Sequence, residues 1–272
     1  SDLSWFFSID TITPVVSSYY PFPNNAYVNV AKPAVSVTFN EPVSTTNLVG
    51  ADPTYFTLKK GLTNISRTCS TTDNTTFTCT PSADLTEGTY TARITGGSSG
   101  VKDPAGNYNA SNPMISWNFK VDLTAPSVSA ISPANGATDV SATAPVTVTF
   151  VENNLMNASS INTDSFTVTS STGKEVGTIS YDAATKKATF TPGGGLSYNT
   201  TYTVTLTADI KDEAGNSVAS PPYTWTFTTQ PIVMSYYSIV PPFITAPVTP
   251  NVLIILDNSN SITSLDFKVY NI

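Results

Sequence analysis

The sequence predicts an all-β protein built from tandem β-sandwiches and followed by an extended C-terminal tail. Short runs that alternate apolar and polar residues, rich in Val, Tyr and Phe, recur between turn-forming residues at intervals of about 8–12 positions. The 20 Pro and 14 Gly of the chain supply much of this punctuation. A segment of roughly 110 residues is also repeated,. No stretch has the apolar periodicity and caps of a helix.

Composition narrows the classes of function. The formal net charge is −7, and an acidic surface repels phosphate backbones, so we expect no nucleic-acid partner,. The longest apolar run, Val252–Leu256, is too short to span a membrane,. The sequence contains no histidine, which removes the usual general base and the commonest metal ligand,. We therefore expect a protein that is not an enzyme.

Three tryptophans mark the repeat. Trp5, Trp117 and Trp225 each stand in a W-x-F pattern that a proline follows within ten residues. The preceding segments also match, because V-x-V-T-F, T-Y-T and D-x-A-G-N occur in the same order in both full copies. We therefore place the three indoles on the same closing strand of successive sandwiches.

The repeat divides the chain into five segments. Two are complete sandwiches, one precedes them and two follow. The first segment matches only a closing strand, so it is either the end of a preceding repeat or a strand donated to a neighbouring subunit. The expected segments are the strand 1–10, sandwich 1 at 11–121, sandwich 2 at 122–229, a Pro-rich linker at 230–250 and a pairing tail or first strand of another domain at 251–272.

The two cysteines are placed to form a disulfide. Turn-forming residues at 72–74 separate two β-like arms that carry Cys69 and Cys79, so a hairpin brings the thiols together,. Cys79 aligns with Phe190 of the second copy, an inward-facing position. A disulfide requires an oxidising compartment, and the alternative is a pair of reduced core cysteines.

Tyr90 and Tyr202 each follow an upstream leucine and are expected to be tyrosine corners, whose hydroxyl groups hold a loop,.

At these motifs the chain resembles the bacterial immunoglobulin-like repeats of S-layer and adhesin proteins, over residues 11–229. The resemblance implies immunoglobulin-like sandwiches on a bacterial cell surface or appendage, where such repeats serve as spacers, adhesion modules or surface-layer units. The second copy carries the family's motifs most fully, at Asp122–Pro126, Ser132–Val140, Phe150 with Glu152, Tyr181–Pro192 and Asp212–Asn216.

Beyond the linker, an apolar run ends in D-x-S-x-S. This passage resembles the opening of a von Willebrand factor A domain, as in type IV pilus tip adhesins of the PilY class. The resemblance implies that Asp257, Ser259 and Ser261 hold Mg²⁺ through oxygen ligands, and only in a complete A domain,.

The aspartate of D-x-A-G-N is predicted to cap a turn whose glycine has positive φ. The alternative is a calcium site at the junctions between sandwiches, where carboxylates recur, since Ca²⁺ takes six to eight oxygen ligands. The candidate ligands are the linker residues Asp10 and Asp122, the strand-end residues Glu41 and Glu152, and the D-x-A-G-N residues Asp103 and Asp212.

Together these features predict a non-enzymatic segment of a secreted cell-surface or pilus-associated adhesin that contacts a protein or host-surface ligand. The alternative is a structural subunit of an extracellular fibre or surface layer. It would self-assemble by strand exchange through residues 1–10 or 251–272.

Overall fold

The computed structural model describes residues 9–232, which form two successive β-sandwiches. This confirms the all-β class and the tandem arrangement. The predictions for Trp5, for the extended tail and for Asp257, Ser259 and Ser261 lie outside the described residues.

Sandwich 1 consists of two five-stranded sheets, ordered β1-β3-β8-β7-β4 and β2-β10-β9-β5-β6. Neighbouring strands are antiparallel except β2 and β10, which run parallel. The strands are β1 Val16–Tyr20, β2 Ala26–Val28, β3 Val35–Phe39, β4 Gly50–Ala51, β5 Phe56–Lys60, β6 Thr63–Asn64, β7 Arg67–Thr71, β8 Thr76–Pro81, β9 Gly88–Ile94 and β10 Ile115–Val121.

Sandwich 2 repeats this topology with one strand fewer, in sheets ordered β11-β13-β17-β16 and β12-β19-β18-β14-β15. One 3₁₀ turn, Ala158–Ser160, precedes β14. The strands are β11 Ser127–Ser132, β12 Ala137–Val140, β13 Val146–Val151, β14 Phe166–Ser170, β15 Gly173–Lys174, β16 Gly177–Asp182, β17 Lys187–Pro192, β18 Thr201–Leu206 and β19 Tyr223–Thr229. Within residues 9–232 there is no helix long and apolar enough to cross a membrane.

Side-chain alternation places one face of each strand in a core, as the sequence predicts. In β3 and β13 the two valines and the phenylalanine of V-x-V-T-F are buried, while the residues between them are half-buried,. The indoles of Trp117 and Trp225 are buried at equivalent positions of β10 and β19. Neither indole N–H has a hydrogen-bond partner within the described part of the chain.

Cys69 and Cys79 form the predicted disulfide, across directly opposite positions of β7 and β8 with a Cα–Cα distance of 4.0 Å. The strand register also confirms the alignment of Cys79 with Phe190. Cys79 pairs with Val35 of β3, just as Phe190 pairs with the equivalent residue of β13. In sandwich 2, Ile179 lies opposite Phe190, so an apolar pair replaces the disulfide.

Both tyrosine corners are present, with opposite hydrogen-bond directions. The hydroxyl group of Tyr90 donates to the carbonyl oxygen of Thr86 at 2.8 Å. The hydroxyl oxygen of Tyr202 accepts from the backbone N–H of Ser197 at 2.8 Å. In each sandwich the bond holds the loop that precedes the penultimate strand of the fold.

Candidate functional site

The linker between the sandwiches, residues 122–126, is held by sandwich 1 at its beginning. The backbone N–H of Asp122 donates to the carbonyl oxygen of Val28 in β2 at 2.9 Å. The carboxylate of Glu87 accepts hydrogen bonds from the N–H of Leu123 and from the hydroxyl group of Thr124. The first three residues of the linker are thereby bonded to sandwich 1.

Sandwich 2 holds the same linker from the other side. The side-chain amide of Asn216 donates to the carbonyl oxygens of Asp122 and Thr124 at 3.0 and 3.4 Å. The backbone N–H of Ala219 donates to the carbonyl oxygen of Pro126 at 2.7 Å. Asp122 and Thr124 are thus bonded by both sandwiches, which restricts the motion of the linker,.

The turn that presents Asn216 is the D-x-A-G-N motif. Asp212 accepts from the backbone N–H and the side-chain amide of Asn216, both at 2.8 Å, and Gly215 has a φ of 95° that favours glycine,. Asp103 and Asn107 form the same pair of bonds in sandwich 1, at 2.8 and 2.7 Å. The expected turn role of both aspartates therefore agrees with the geometry.

Asp122, Glu152 and Asp212 form what we call the second junction cluster. All three are buried, with exposed fractions of 1%, 5% and 1%. Asn154 lies beside them, because its amide donates to Oδ2 of Asp122 at 2.8 Å and its backbone N–H donates to Oε1 of Glu152 at 2.8 Å. The other oxygen of Glu152, Oε2, is buried and has no hydrogen-bond partner among the described residues.

The electrostatics of the second junction cluster reflect this burial. Burial raises the pKa of Glu152, and the charges of Asp122 and Asp212 raise it further, against hydrogen bonds from the backbone of residues 153 and 154. Burial also raises the pKa of Asp122, with an addition from the charge of Asp212. The three side chains therefore lie close enough to repel one another.

Asp10, Glu41 and Asp103 form the first junction cluster, the copy of the second at the start of sandwich 1. One carboxylate oxygen from each lies within 4.8 Å of the others. Burial raises the pKa of Glu41, and the charges of Asp10 and Asp103 add to the rise. Although burial raises the pKa of Asp103, hydrogen bonds from Asn107 and the turn backbone lower it overall.

The two clusters have the same asparagine contact to the residue that opens the sandwich, but they differ at the residue two positions after the glutamate. Asn107 donates to the carbonyl oxygen of Asp10 at 3.0 Å, just as Asn216 does to Asp122. The position of Asn154, two residues after the strand-end glutamate, is Val43 in the first copy.

The position that Asp10 and Asp122 occupy before the two sandwiches is a glutamine, Gln230, after sandwich 2. Gln230 donates its N–H to Val140 of β12 at 2.8 Å, and thus takes the place that Asp122 has after sandwich 1. The carboxylate at this position is therefore present at the start of each complete sandwich but not after the second.

The structure thus brings the carboxylates of Asp10, Glu41 and Asp103 within 4.8 Å of one another, and it buries Asp122, Glu152 and Asp212 near enough for their charges to interact. The sequence analysis missed the asparagines that hold the linker, Asn107 and Asn216, and the contact from Glu87. The asparagines could have been found, because both copies of D-x-A-G-N end in the same residue. Glu87 has no such signal, since the corresponding loop of sandwich 2 has a different length.

Comparison with known proteins gives one family. The model described as "Bacterial Ig-like domain" matches residues 10–121 and 122–229. No curated protein matches the sequence.

Among solved structures, the N-terminal part of the bacterial S-layer protein SbsC is similar over 79% of this chain and 44% of that one, with 19% identity and a TM-score of 0.30. The fibronectin(III)-like modules of Clostridium thermocellum CbhA are similar over 83% and 99%, with 12% identity and a TM-score of 0.36. The I9–I11 tandem of titin is similar over 76% and 62%, with 9% identity and a TM-score of 0.28. The chain thus spans less than half of the S-layer structure and less than two thirds of the titin structure.

The family assignment rests on the two sequence matches, which follow each other without a gap and include most of the chain. This chain therefore belongs to the bacterial Ig-like domain family, with two such domains in tandem.

Proposed function

We propose that this chain is a non-catalytic structural segment of a bacterial protein displayed outside the cell, in which the two sandwiches act as spacer and contact modules. The observation that carries the proposal is the linker at residues 122–126. Hydrogen bonds from both sandwiches hold it, whereas a flexible tether between independent domains needs no such bonds,.

Two further observations support this role. The disulfide between Cys69 and Cys79 is of a kind that persists in oxidising compartments outside the cytoplasm,. The chain also has no histidine, the usual general base, and the carboxylates of the second junction cluster lie beside the linker,. Both features favour a structural role over catalysis.

The experiment compares the flexibility of the linker with and without the hydrogen bonds from Asn216. We expect small-angle X-ray scattering of residues 9–232 to give the profile of a stiff pair of domains. Asn216→Ala should give a larger radius of gyration and a flexible profile, while Asn153→Ala, which changes an exposed asparagine next to the cluster, should leave the profile unchanged. A flexible profile for the parent protein would contradict the spacer role.

We propose further that the larger protein is an adhesin of the type IV pilus or cell surface, whose ligand is a protein or a host surface. The support for this finer proposal is the resemblance of the D-x-S-x-S passage to the start of a von Willebrand factor A domain. Adhesion of the producing bacterium should then require both the sandwiches and Mg²⁺. Adhesion that continues unchanged in EDTA would contradict it.

The open edge of sandwich 2 favours the second candidate, a subunit that assembles by strand exchange. In sandwich 1 the edge of β7 is covered by β4, but within the described residues β16 pairs with β17 alone. A six-residue edge such as Gly177–Asp182 can accept a strand from a neighbour,. Sedimentation velocity over a concentration series tests this, because assembly should be lost on deletion of residues 1–10 or 251–272. A monomer at every concentration would exclude it.

A further inference from the structure

The side chain of Glu152 has an unusual position for a carboxylate. It is 5% exposed, and its Oε2 atom is buried without any hydrogen-bond partner in the described part of the chain. A buried charged oxygen in this state is costly unless a cation or a donor compensates it. No hydrogen-bond donor therefore compensates this oxygen among the described residues.

No side-chain cation of the described residues supplies that group. The ion pairs formed within residues 9–232 involve Asp52, Asp84 and Asp164, and none involves the second junction cluster. The ammonium group of Lys186 donates to the backbone carbonyl oxygen of Glu152 and forms no ion pair with the carboxylate. Among the described residues, no side-chain cation thus forms an ion pair with any of these three buried carboxylates.

The first junction cluster shows the geometry that these three positions can reach. Its carboxylate oxygens lie within 4.8 Å of one another. Oxygens that share one Ca²⁺ at the usual distance of about 2.3–2.6 Å cannot lie more than about 5 Å apart. In the first cluster the repeat thus places three carboxylates at a spacing that one calcium ion can bridge. The three carboxylates of the second cluster do not lie that close in the described chain, where the amide of Asn154 contacts Asp122 instead, so an ion would have to draw them together.

We propose that the second junction cluster binds a calcium ion through the carboxylates of Asp122, Glu152 and Asp212. The free Oε2 atom of Glu152 is the oxygen that the ion would engage first. Rotation of the Asn154 amide by half a turn would replace its donor to Asp122 by a further neutral oxygen ligand,. The ion compensates the buried charges and completes a site made only of oxygen atoms.

The donor chemistry selects the ion. Zn²⁺ and other transition metals prefer nitrogen and sulfur ligands, yet the sequence has no histidine and both cysteines are in the disulfide,. Mg²⁺ requires a small octahedral site and retains its water ligands, whereas Ca²⁺ accepts several carboxylates in a flexible arrangement.

A calcium ion at this place would add to the spacer role, because the stiffness of the array would then depend on an external ion. Asp122 belongs to the linker and bonds to sandwich 1, while Glu152 and Asp212 belong to sandwich 2. A shared ion would tie the linker to sandwich 2 by bonds stronger than the amide contacts alone. Removal of calcium would leave three like charges that push the linker away.

The test is thermal unfolding of the full chain in EGTA and in CaCl₂ at matched ionic strength. Extracellular calcium modules have Kd values of about 0.1–1 mM. At about 10 mM CaCl₂ we therefore expect the Tm of sandwich 2 to rise by roughly 5 °C or more. Calorimetric titration with CaCl₂ should show the binding directly.

The variant Glu152→Gln tests whether the rise in Tm with calcium depends on the second junction cluster. Glutamine retains an oxygen that accepts from the N–H of Asn154 and removes one buried charge. We expect its Tm in EGTA to equal or exceed that of the parent, and we expect no rise with calcium. If this variant does not fold, Asp122→Asn serves the same purpose and should also lose the calcium effect.

The matched control is Glu213→Gln, which removes an equal charge from an exposed side chain of the D-x-A-G-N turn itself. It should retain the whole calcium effect. A parent protein whose Tm does not respond to calcium would overturn the proposal. A Glu152→Gln variant that keeps the shift would overturn it too, as would a Glu213→Gln variant that loses it.

Discussion

The side-chain amide of Asn216 lies 3.0 Å from the backbone carbonyl oxygen of Asp122 and donates a hydrogen bond to it. The same contact joins Asn107 to Asp10 at 3.0 Å one repeat earlier. In both copies the last residue of a D-x-A-G-N turn therefore holds the residue that opens its own sandwich. In the second copy the motif thereby connects a local turn to the linker that leaves sandwich 1.

Removal of this amide should destabilise sandwich 2. Asn216→Ala removes the bonds to Asp122 and leaves Oδ2 of the buried Asp212 without this donor, so we expect a loss of about 1–3 kcal/mol in the free energy of unfolding,. Urea unfolding of residues 9–232 measures it. Asn153→Ala, an exposed change, should stay within about 0.5 kcal/mol. Equal losses in the two variants would contradict the role assigned to Asn216.

The disulfide should stabilise sandwich 1 selectively. The two cysteines are 10 positions apart, and closure of a loop of this length is worth about 2–3 kcal/mol,. We expect the double variant Cys69→Ala, Cys79→Ala to lower the denaturant midpoint of sandwich 1. The midpoint of sandwich 2, which has no cysteine, should not change. A shift of equal size in both transitions would show that the two domains do not unfold separately.

Asp73 should make the disulfide hairpin sensitive to acid. Hydrogen bonds from the backbone N–H groups of Thr76 and Thr75 lower the pKa of Asp73 from 3.8 to about 2. Its contribution to stability is therefore complete above pH 3.8 and is lost as the pH falls toward 2,. Asp73→Asn should lack this part of the pH dependence in urea unfolding. An NMR titration midpoint near the ordinary value would contradict the expectation.

Removal of the hydroxyl group should lower the free energy of unfolding by different amounts at the two tyrosine corners. Tyr202→Phe leaves the N–H of Ser197 without its acceptor, whereas Tyr90→Phe leaves only the carbonyl oxygen of Thr86, which can be satisfied more easily,. We expect losses of about 1–3 kcal/mol for Tyr202→Phe and about 1 kcal/mol for Tyr90→Phe. Urea unfolding that ranks the variants in the reverse order would contradict this reading.

Much of the fold follows from the sequence because the repeat supplies two independent copies of each signal. The alignment of Cys79 with Phe190 predicts an inward position, and both residues are buried opposite equivalent valines. Alternation identifies the inner face of β3 and of β13 for the same reason, since one residue in two must enter the core.

Other features depend on contacts between distant segments and could not be predicted. The strand β4, which covers the edge of β7, is two residues long and has no sequence pattern of its own. The contact between Glu87 and the linker depends on the shape of a loop that differs between the copies. The six candidate ligands could be named from the sequence, but their division into two clusters required the sandwich topology.

The arrangement of the linker has a consequence for the way such proteins change in length. The Asp and Asn residues that secure a joint belong mostly to the domain that follows it, since Asp122, Asn154 and Asn216 all lie within one repeat. Duplication of that repeat in the gene would insert a domain together with most of its own attachment. Recombination could then lengthen or shorten the molecule by whole units and leave every remaining joint intact.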